Sequence, residues 1–427
     1  MGDARDPSPA AAVLAHVDPG ADVIVPIANG EPVGLIDELE AAAERGELTD
    51  VRVHQMHVLH DRRYLSGELR PHLGHVSYFL SPVTRAAYAN GGIDLRPAHF
   101  SEVPALLREA SNASIVLAAA SSIDDDGYFS LGTSADYAAS FIDEVPFFLE
   151  VNAQMPRTHG RNRVHVSDVL GWTEVDRPLV EVAPATAGRI EEQIAAFVAE
   201  RIQDRSTIQV GIGAIPNAIL AHLHDHRDLG VHTELFSDGL VDLIEAGAVT
   251  GAHRAVSTGR STTTFALGTR RTYEFIHENP AVELMPVEIV NDPREIGREP
   301  RFVSINATLE VDLFGQCASE TLGGRYWSGS GGQADFARGA MYSPGGQGFV
   351  VLPSTAKGGT VSRIVAQLGA GQVVTTLKNT VDHVVTEHGV AKLRGRSLRE
   401  RALALISVAH PDHRDRLRHD AHLIDAI

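Results

Sequence analysis

One stretch in the second half of the chain restricts the possible folds more than any other. Thr207-Ile208-Gln209-Val210 reads as a short strand, and the glycine turn Gly211-Ile212-Gly213-Ala214-Ile215-Pro216 follows at once. A helical run from Asn217 to His224 comes next, and then a second strand-like segment, Gly230-Val231-His232-Thr233. Strand, helix and parallel strand in this order make a βαβ unit, and such units assemble into parallel sheets covered by helices. The turn leaves unpaired backbone N–H groups at a helix N-terminus, where phosphate or an oxyanion can be held. Glu234 falls at the carboxyl end of the second strand, the end at which open α/β sheets bind ligands. A carboxylate and an anion cradle would therefore face one crevice. The dinucleotide fingerprint needs a third glycine where this chain has Pro216, which argues against a nicotinamide site.

The same order recurs in the first half. Asp22-Val23-Ile24-Val25 leads into a turn ending at Gly30, then Pro32, a helical run from Val33 to Arg45 and the strand-like Val51-Arg52-Val53-His54-Gln55-Met56. Aligning His54 with His232 sets Met56 opposite Glu234, although any two βαβ units share this order. Ser114 to Ala120 and Phe349 to Leu352 read as further buried strands. Two prolines without helical period mark a linker around Asp176 to Ala185, ahead of a helix from Gly188 to Arg201. The expected fold is α/β, with two similar domains, each a mostly parallel sheet flanked by helices. Residues 1–183 would form the N-terminal domain, and residues 184–427 the one carrying Glu234. A chain of 427 residues is long for a single core, which agrees with two.

Charge narrows the partners. With 37 basic and 55 acidic side chains the net charge is −18, which speaks against nucleic acid or an anionic membrane. A polyanionic ligand would need a local cluster of donors. The single cysteine excludes an intramolecular disulfide and fits a cytoplasmic protein. No apolar run approaches membrane-spanning length, and Met1 to Asp6 lack the order of a signal peptide.

Competing chemistries leave little trace. There is no His-Glu-x-x-His pair, no phosphate-loop lysine and no Gly-x-Ser-x-Gly elbow. The C-terminal run from His410 to His422 alternates His with Asp and Arg and reads as a solvated helix face, so no metal site is expected. Cys317 has no charged neighbour to activate it and reads as a buried, inert thiol. Glu288, before the Asn291-Asp292-Pro293 turn, is a second candidate carboxylate, ranked below Glu234 because it follows no glycine turn.

Four motifs in this order resemble the acetyl-CoA hydrolase/transferase family: Gly211 to Pro216, His232 to Gly239, Ser304 to Asp312 and Ser328 to Phe336. Phe100 to Pro104 and Val385 to Ala391 fit as well, so the resemblance spans nearly the whole chain. Within the family the chain is most similar to the 4-hydroxybutyrate and butyrate:acetate CoA-transferases. The resemblance implies that Glu234 is the nucleophile and that Gly211, Ile212, Gly213, Ala214 and Ile215 contact CoA. It also places Asn306, Leu309, Gly331, Gly332 and Lys357 at the CoA site, although core packing for Leu309 and solvent for Lys357 are the ordinary readings of such residues. The implied activity is CoA transfer between an acyl-CoA and a small carboxylate through a glutamyl-CoA thioester. CoA then enters as a substrate thioester, with no tightly bound cofactor, and the family implies a homodimer or higher homo-oligomer. Hydrolysis of acyl-CoA by the same glutamate and a non-catalytic CoA-binding protein are the alternatives. The acid would lie in a crevice where His54, Gln55 and Met56 face Glu234.

Overall fold

The structure is a computed structural model and describes Asp6 to Ile427; the segment read above as lacking a signal peptide lies almost wholly outside the described residues. The chain forms two compact units. One holds the described residues through Val182 together with Thr262–Val290, and the other holds Ala183–Ser261 and Asn291–Ile427. The second unit begins at Ala183. The stretch Thr262–Val290, which the sequence reading put in the C-terminal domain, packs with the first unit.

The first unit is built on seven strands, β1 (Asp22–Ile24), β2 (Val51–His54), β3 (Leu73–Ser77), β4 (Asp94–Leu95), β5 (Ala113–Ala120), β6 (Phe147–Asn152) and β7 (Val169–Val175). They pair in the order β7-β6-β5-β1-β2-β3-β4, every pair parallel. Ile115 to Ala120 are buried without a break, as strands covered on both faces must be. Helix α1 (Val33–Glu44) buries Leu35, Ile36 and Leu39. The strand read as Val51 to Met56 stops at His54, and the polar groups near its end are satisfied inside the unit. His54 Nε2 lies 2.9 Å from Asp22 Oδ1 and its Nδ1 2.8 Å from the Tyr78 hydroxyl. Gln55 Nε2 donates to Glu31 Oε2 at 2.9 Å. His54, Gln55 and Met56 are all buried.

The second unit carries a six-stranded sheet of β8 (Thr207–Val210), β9 (Gly230–Val231), β10 (Phe302–Ala307), β11 (Gln347–Val351), β12 (His383–Thr386) and β13 (Gly389–Lys392). The order is β9-β8-β10-β11-β12-β13. All pairs are parallel except the antiparallel edge β12–β13. Helix α2 (Arg189–Ala199) packs on α3 (Ala214–Ala221), and α4 (Gln333–Tyr342) packs on β10 and β11. Helix α3 starts three residues ahead of the expected Asn217. Pro216 stands in its first turn, where a missing N–H costs no hydrogen bond. The His-rich C-terminal run forms α5 (Pro411–Leu423), whose His413 Nε2 lies 2.9 Å from the carbonyl oxygen of Gly359. Cys317 is buried and unbridged, and burial pushes its thiol pKa up.

Candidate active site

In the second unit the strand order changes direction beside β8. The next strand in sequence, β9, lies on one side of it and β10 on the other. The carboxyl ends of β8 and β10 therefore flank a topological switch point, where sheets of this kind take ligands. Gly211 closes the gap, donating its N–H to the Ile305 carbonyl at 2.9 Å. A Cβ on Gly211 would lie 3.4 Å from Asn306 Oδ1. The Asn306 side chain is fixed by Gln209, with Nδ2 donating to Gln209 Oε1 at 3.1 Å and Oδ1 accepting from Gln209 Nε2 at 3.2 Å. Gly213 holds φ at +122°, a conformation that L side chains rarely adopt. Ile212 is exposed, while Ile215 is buried beneath the turn. Ile215 thus faces the core, and only its backbone is left to the turn. Leu309, three residues beyond Asn306, is half-buried, with its N–H on the Ala318 carbonyl.

Glu234 lies directly across the β8–β9 pair. Thr233 Oγ1 is 3.4 Å from both the N–H and the carbonyl of Val210. Gly211 and Glu234 each stand one residue beyond that contact. The half-buried carboxylate of Glu234 accepts from Asn291 Nδ2 at 2.8 Å and from the Gly332 backbone N–H. Gly332 caps the N-terminus of α4 and follows Gly331, whose φ is +54°. A Cβ on Gly332 would sit 2.0 Å from Glu234 Oε2 and 2.3 Å from Asn291 Nδ2. Only glycine leaves room for the carboxylate here. Burial pushes the Glu234 carboxyl up to about 7, against the lowering by Asn291 and Gly332. A carboxylate poised near neutral pH between two preset donors can act as nucleophile or base.

β9 stops at Val231, two residues short of the expected Thr233, so Glu234 follows it in a bend, and a buried ion pair backs this segment. Arg254 and Glu299 have fully buried side chains 2.9 Å apart. Arg254 Nη2 also donates to His232 Nδ1 at 3.0 Å. Neither Asn291 nor this pair was picked out from the sequence. Asn291 was legible only as part of a proline turn, and Arg254 lies in a loop without periodicity.

The remaining candidates are Lys357 and Glu288. Lys357 is exposed at the tip of a hairpin formed by Thr355–Ala356 and Val361–Ser362. With Arg189, Glu191, His388 and His410 it lines a groove of about 580 Å³ in the second unit. Glu288 belongs to the first unit, where its carboxylate is exposed and pairs with Arg108 Nη1 at 3.1 Å. Among the described residues, no group of three or more His, Cys, Asp or Glu is arranged to hold a metal ion, and no helix is long and apolar enough to cross a membrane.

Residues 8–210 match the acetyl-CoA hydrolase/transferase N-terminal domain and residues 268–421 the C-terminal domain. The chain is 45% identical to the succinyl-CoA:cyclohexane-1-carboxylate CoA transferase of Geobacter metallireducens, over 99% of this chain and 95% of that one. It is 39% identical to the 4-hydroxybutyrate coenzyme A transferase of Clostridium kluyveri, over 95% of each. The crystal structure of RipA from Yersinia pestis superimposes with a TM-score of 0.94 at 36% identity, over the full length of both chains.

Proposed function

The chain belongs to the acetyl-CoA hydrolase/transferase family and is an enzyme that transfers CoA, and on that premise we propose that Glu234 is the nucleophile of an acyl-CoA:carboxylate CoA-transferase. The ionised carboxylate attacks the acyl-CoA carbonyl carbon. The tetrahedral adduct expels CoA thiolate and leaves a mixed acyl-glutamyl anhydride. The thiolate then attacks the glutamyl carbonyl, the first acid departs as its carboxylate, and a glutamyl-CoA thioester remains. An incoming carboxylate reverses both steps, so that acyl group and CoA leave together and Glu234 is regenerated.

The observation that carries this reading is the placement of Glu234 at the N-terminus of α4 between two donors, the Asn291 amide and the Gly332 N–H. When the glutamyl carbon becomes tetrahedral, its oxygen takes up negative charge, and fixed donors stabilise that charge without reorganising. A carboxylate with a pKa near 7 is also more basic than an ordinary one, hence a stronger nucleophile once ionised.

CoA would lie along the switch-point edge made by Gly211 to Ile215, Asn306, Leu309, Gly331 and Gly332. The groove with Lys357 and Arg189 would take its phosphates, giving an acidic chain the local cations it needs. Short acyl groups such as 4-hydroxybutyryl, butyryl or acetyl are the proposed substrates, exchanged with a small carboxylate in the cytoplasm by a homodimer or larger homo-oligomer. Incubating the protein with acyl-CoA and no acceptor acid, then reducing with borohydride and mapping peptides, tests the reading. Label on Glu234 is expected; label elsewhere, or none, overturns it. Following CoA exchange and hydrolysis in parallel separates the transferase from an acyl-CoA hydrolase using the same glutamate, and activity in neither assay would leave a non-catalytic CoA-binding protein.

A further inference from the structure

We infer that His232, held from behind by the buried Arg254–Glu299 pair, is a positioning residue that fixes Glu234 relative to the α4 N-terminus. The consequence for turnover rests on the function proposed above; the geometry does not. His232 precedes Glu234 by two residues, and its N–H bonds to the Ile208 carbonyl at 3.1 Å, which ties its backbone to β8. Its Nδ1 faces Arg254 Nη2 at 3.0 Å. A guanidinium only donates, so Nδ1 is the acceptor in this contact. One ring orientation is thereby chosen.

Arg254 is itself immobilised. Glu299 Oε1 accepts from its Nε at 3.0 Å and its Nη2 at 2.9 Å, and the Arg260 carbonyl accepts from Nη1 at 2.8 Å. Glu299 Oε2 takes the Ala255 N–H at 2.8 Å. Gly230 is required beneath this cluster, because a Cβ there would lie 2.6 Å from Arg254 Cγ. A buried pair of this kind is weak evidence for stability but strong at holding one arrangement.

The other side of the imidazole meets two aromatic rings edge-on, Phe302 of β10 at 6.1 Å and Phe336 of α4 at 6.4 Å between centroids. Phe302 and Phe336 stack on each other at 6.2 Å. Phe336 lies one turn along α4 from Gly332, its N–H bonded to the Gly332 carbonyl at 3.0 Å. His232 therefore touches the helix that supplies a donor to Glu234 and belongs to the segment that supplies Glu234 itself. Its size and tilt set the spacing between the two.

His232→Leu and His232→Asn test this. The Asn Oδ1 can take the place of Nδ1 as acceptor, and Leu cannot. In His232→Leu, kcat for CoA exchange should fall about ten- to a hundredfold, as small misplacements of a reacting group do. KM for acyl-CoA should change less than kcat, because, of the proposed CoA edge, only Gly331 and Gly332 lie at the helix end that His232 positions. His232→Asn should recover most of the lost kcat. A folded Leu variant with unchanged kcat, or an Asn variant as slow as Leu, overturns the inference. Where Leu does not fold, Asn decides alone, and kcat below about a tenth of the parent's overturns it. Absence of both exchange and hydrolysis in the unmodified protein would sink the functional reading instead. The crystal structure of whichever variant folds then decides the positioning role: Glu234 unmoved from Asn291 and Gly332 in the Leu variant, or displaced in the Asn variant, overturns it.

Discussion

Glu234 and Gly332 stand so close that a single methyl group cannot fit between them: a Cβ on Gly332 would lie 2.0 Å from Glu234 Oε2. Backbone φ at Gly332 is −94°, an ordinary value for any residue, so the demand for glycine is purely steric. Gly332→Ala must push the carboxylate away from both donors. We expect a fall in kcat of about a hundredfold or more, the size seen when a transition-state donor is lost, with the fold intact. Gly211→Ala is the steric comparison, since its Cβ would meet Asn306 Oδ1 and the Ile305 carbonyl only at 3.4 Å, and on the proposed CoA edge its loss should fall on KM rather than kcat. Steady-state kinetics of both variants decide the point. Equal losses would mean that Gly332 has no special relation to Glu234.

The pH dependence follows from the Glu234 carboxyl, raised to about 7 chiefly by burial. The nucleophile is the ionised form, so kcat/KM should rise with pH through about 7 and level off above it. The hydrogen bond from Asn291 lowers that pKa, and removing it must raise the value. Asn291→Ala should therefore move the rising limb to higher pH and also reduce the plateau by about a hundredfold. A pH–rate profile whose rising limb stays in place, or moves to lower pH, would contradict this assignment.

A second consequence concerns stability and needs no substrate. Glu234 is raised from an ordinary 4.5 to about 7 in the folded protein. Between those values the folded chain binds the extra proton, so stability falls as pH rises through this window and stays lowered above it. Glu234→Gln abolishes the titration. The variant should melt higher than the parent at pH 8 and near it at pH 4.5. Thermal melts at both pH values check this, and a gap of the same size at both would refute it.

Much of this site could be read from the sequence because strand, glycine turn, helix and strand lie within about thirty residues, where local rules apply. That span yielded β8, the glycine turn and β9, although β9 stops at Val231 and Glu234 follows three residues later. Asn291 could not be read, because it reaches Glu234 from 57 positions away and nothing in a proline turn announces that contact. The Arg254–Glu299 pair spans 45 positions and follows from burial, which one sequence does not display. The partners of His54 and Gln55 were unreadable for the same reason. Asp22, Tyr78 and Glu31 lie 32, 24 and 24 positions away in the sequence. Thr262–Val290 joins the first unit for reasons of packing that no composition shift marks.

Lys357 offers a last and separable test. It is exposed on a hairpin whose tip is held by His413, beside Arg189 in a groove of about 580 Å³, in a chain of net charge −18. Such a chain repels a polyanion at long range, so CoA affinity must come from contacts of this kind. A charge-assisted contact to phosphate contributes roughly 1.5–3 kcal/mol, so its loss should weaken binding by about ten- to a hundredfold. Lys357→Ala should raise KM for acyl-CoA on that scale while kcat at saturation falls less, because the donors to the reacting carboxylate are Asn291 and Gly332 and not the lysine. High salt should narrow the difference between variant and parent, as screening weakens the contact that the variant lacks. Glu288→Gln, on the first unit and paired with Arg108, should leave both constants within about twofold. Unchanged KM in Lys357→Ala would move the CoA phosphates out of this groove, and a loss of kcat in Glu288→Gln would reopen the choice of nucleophile.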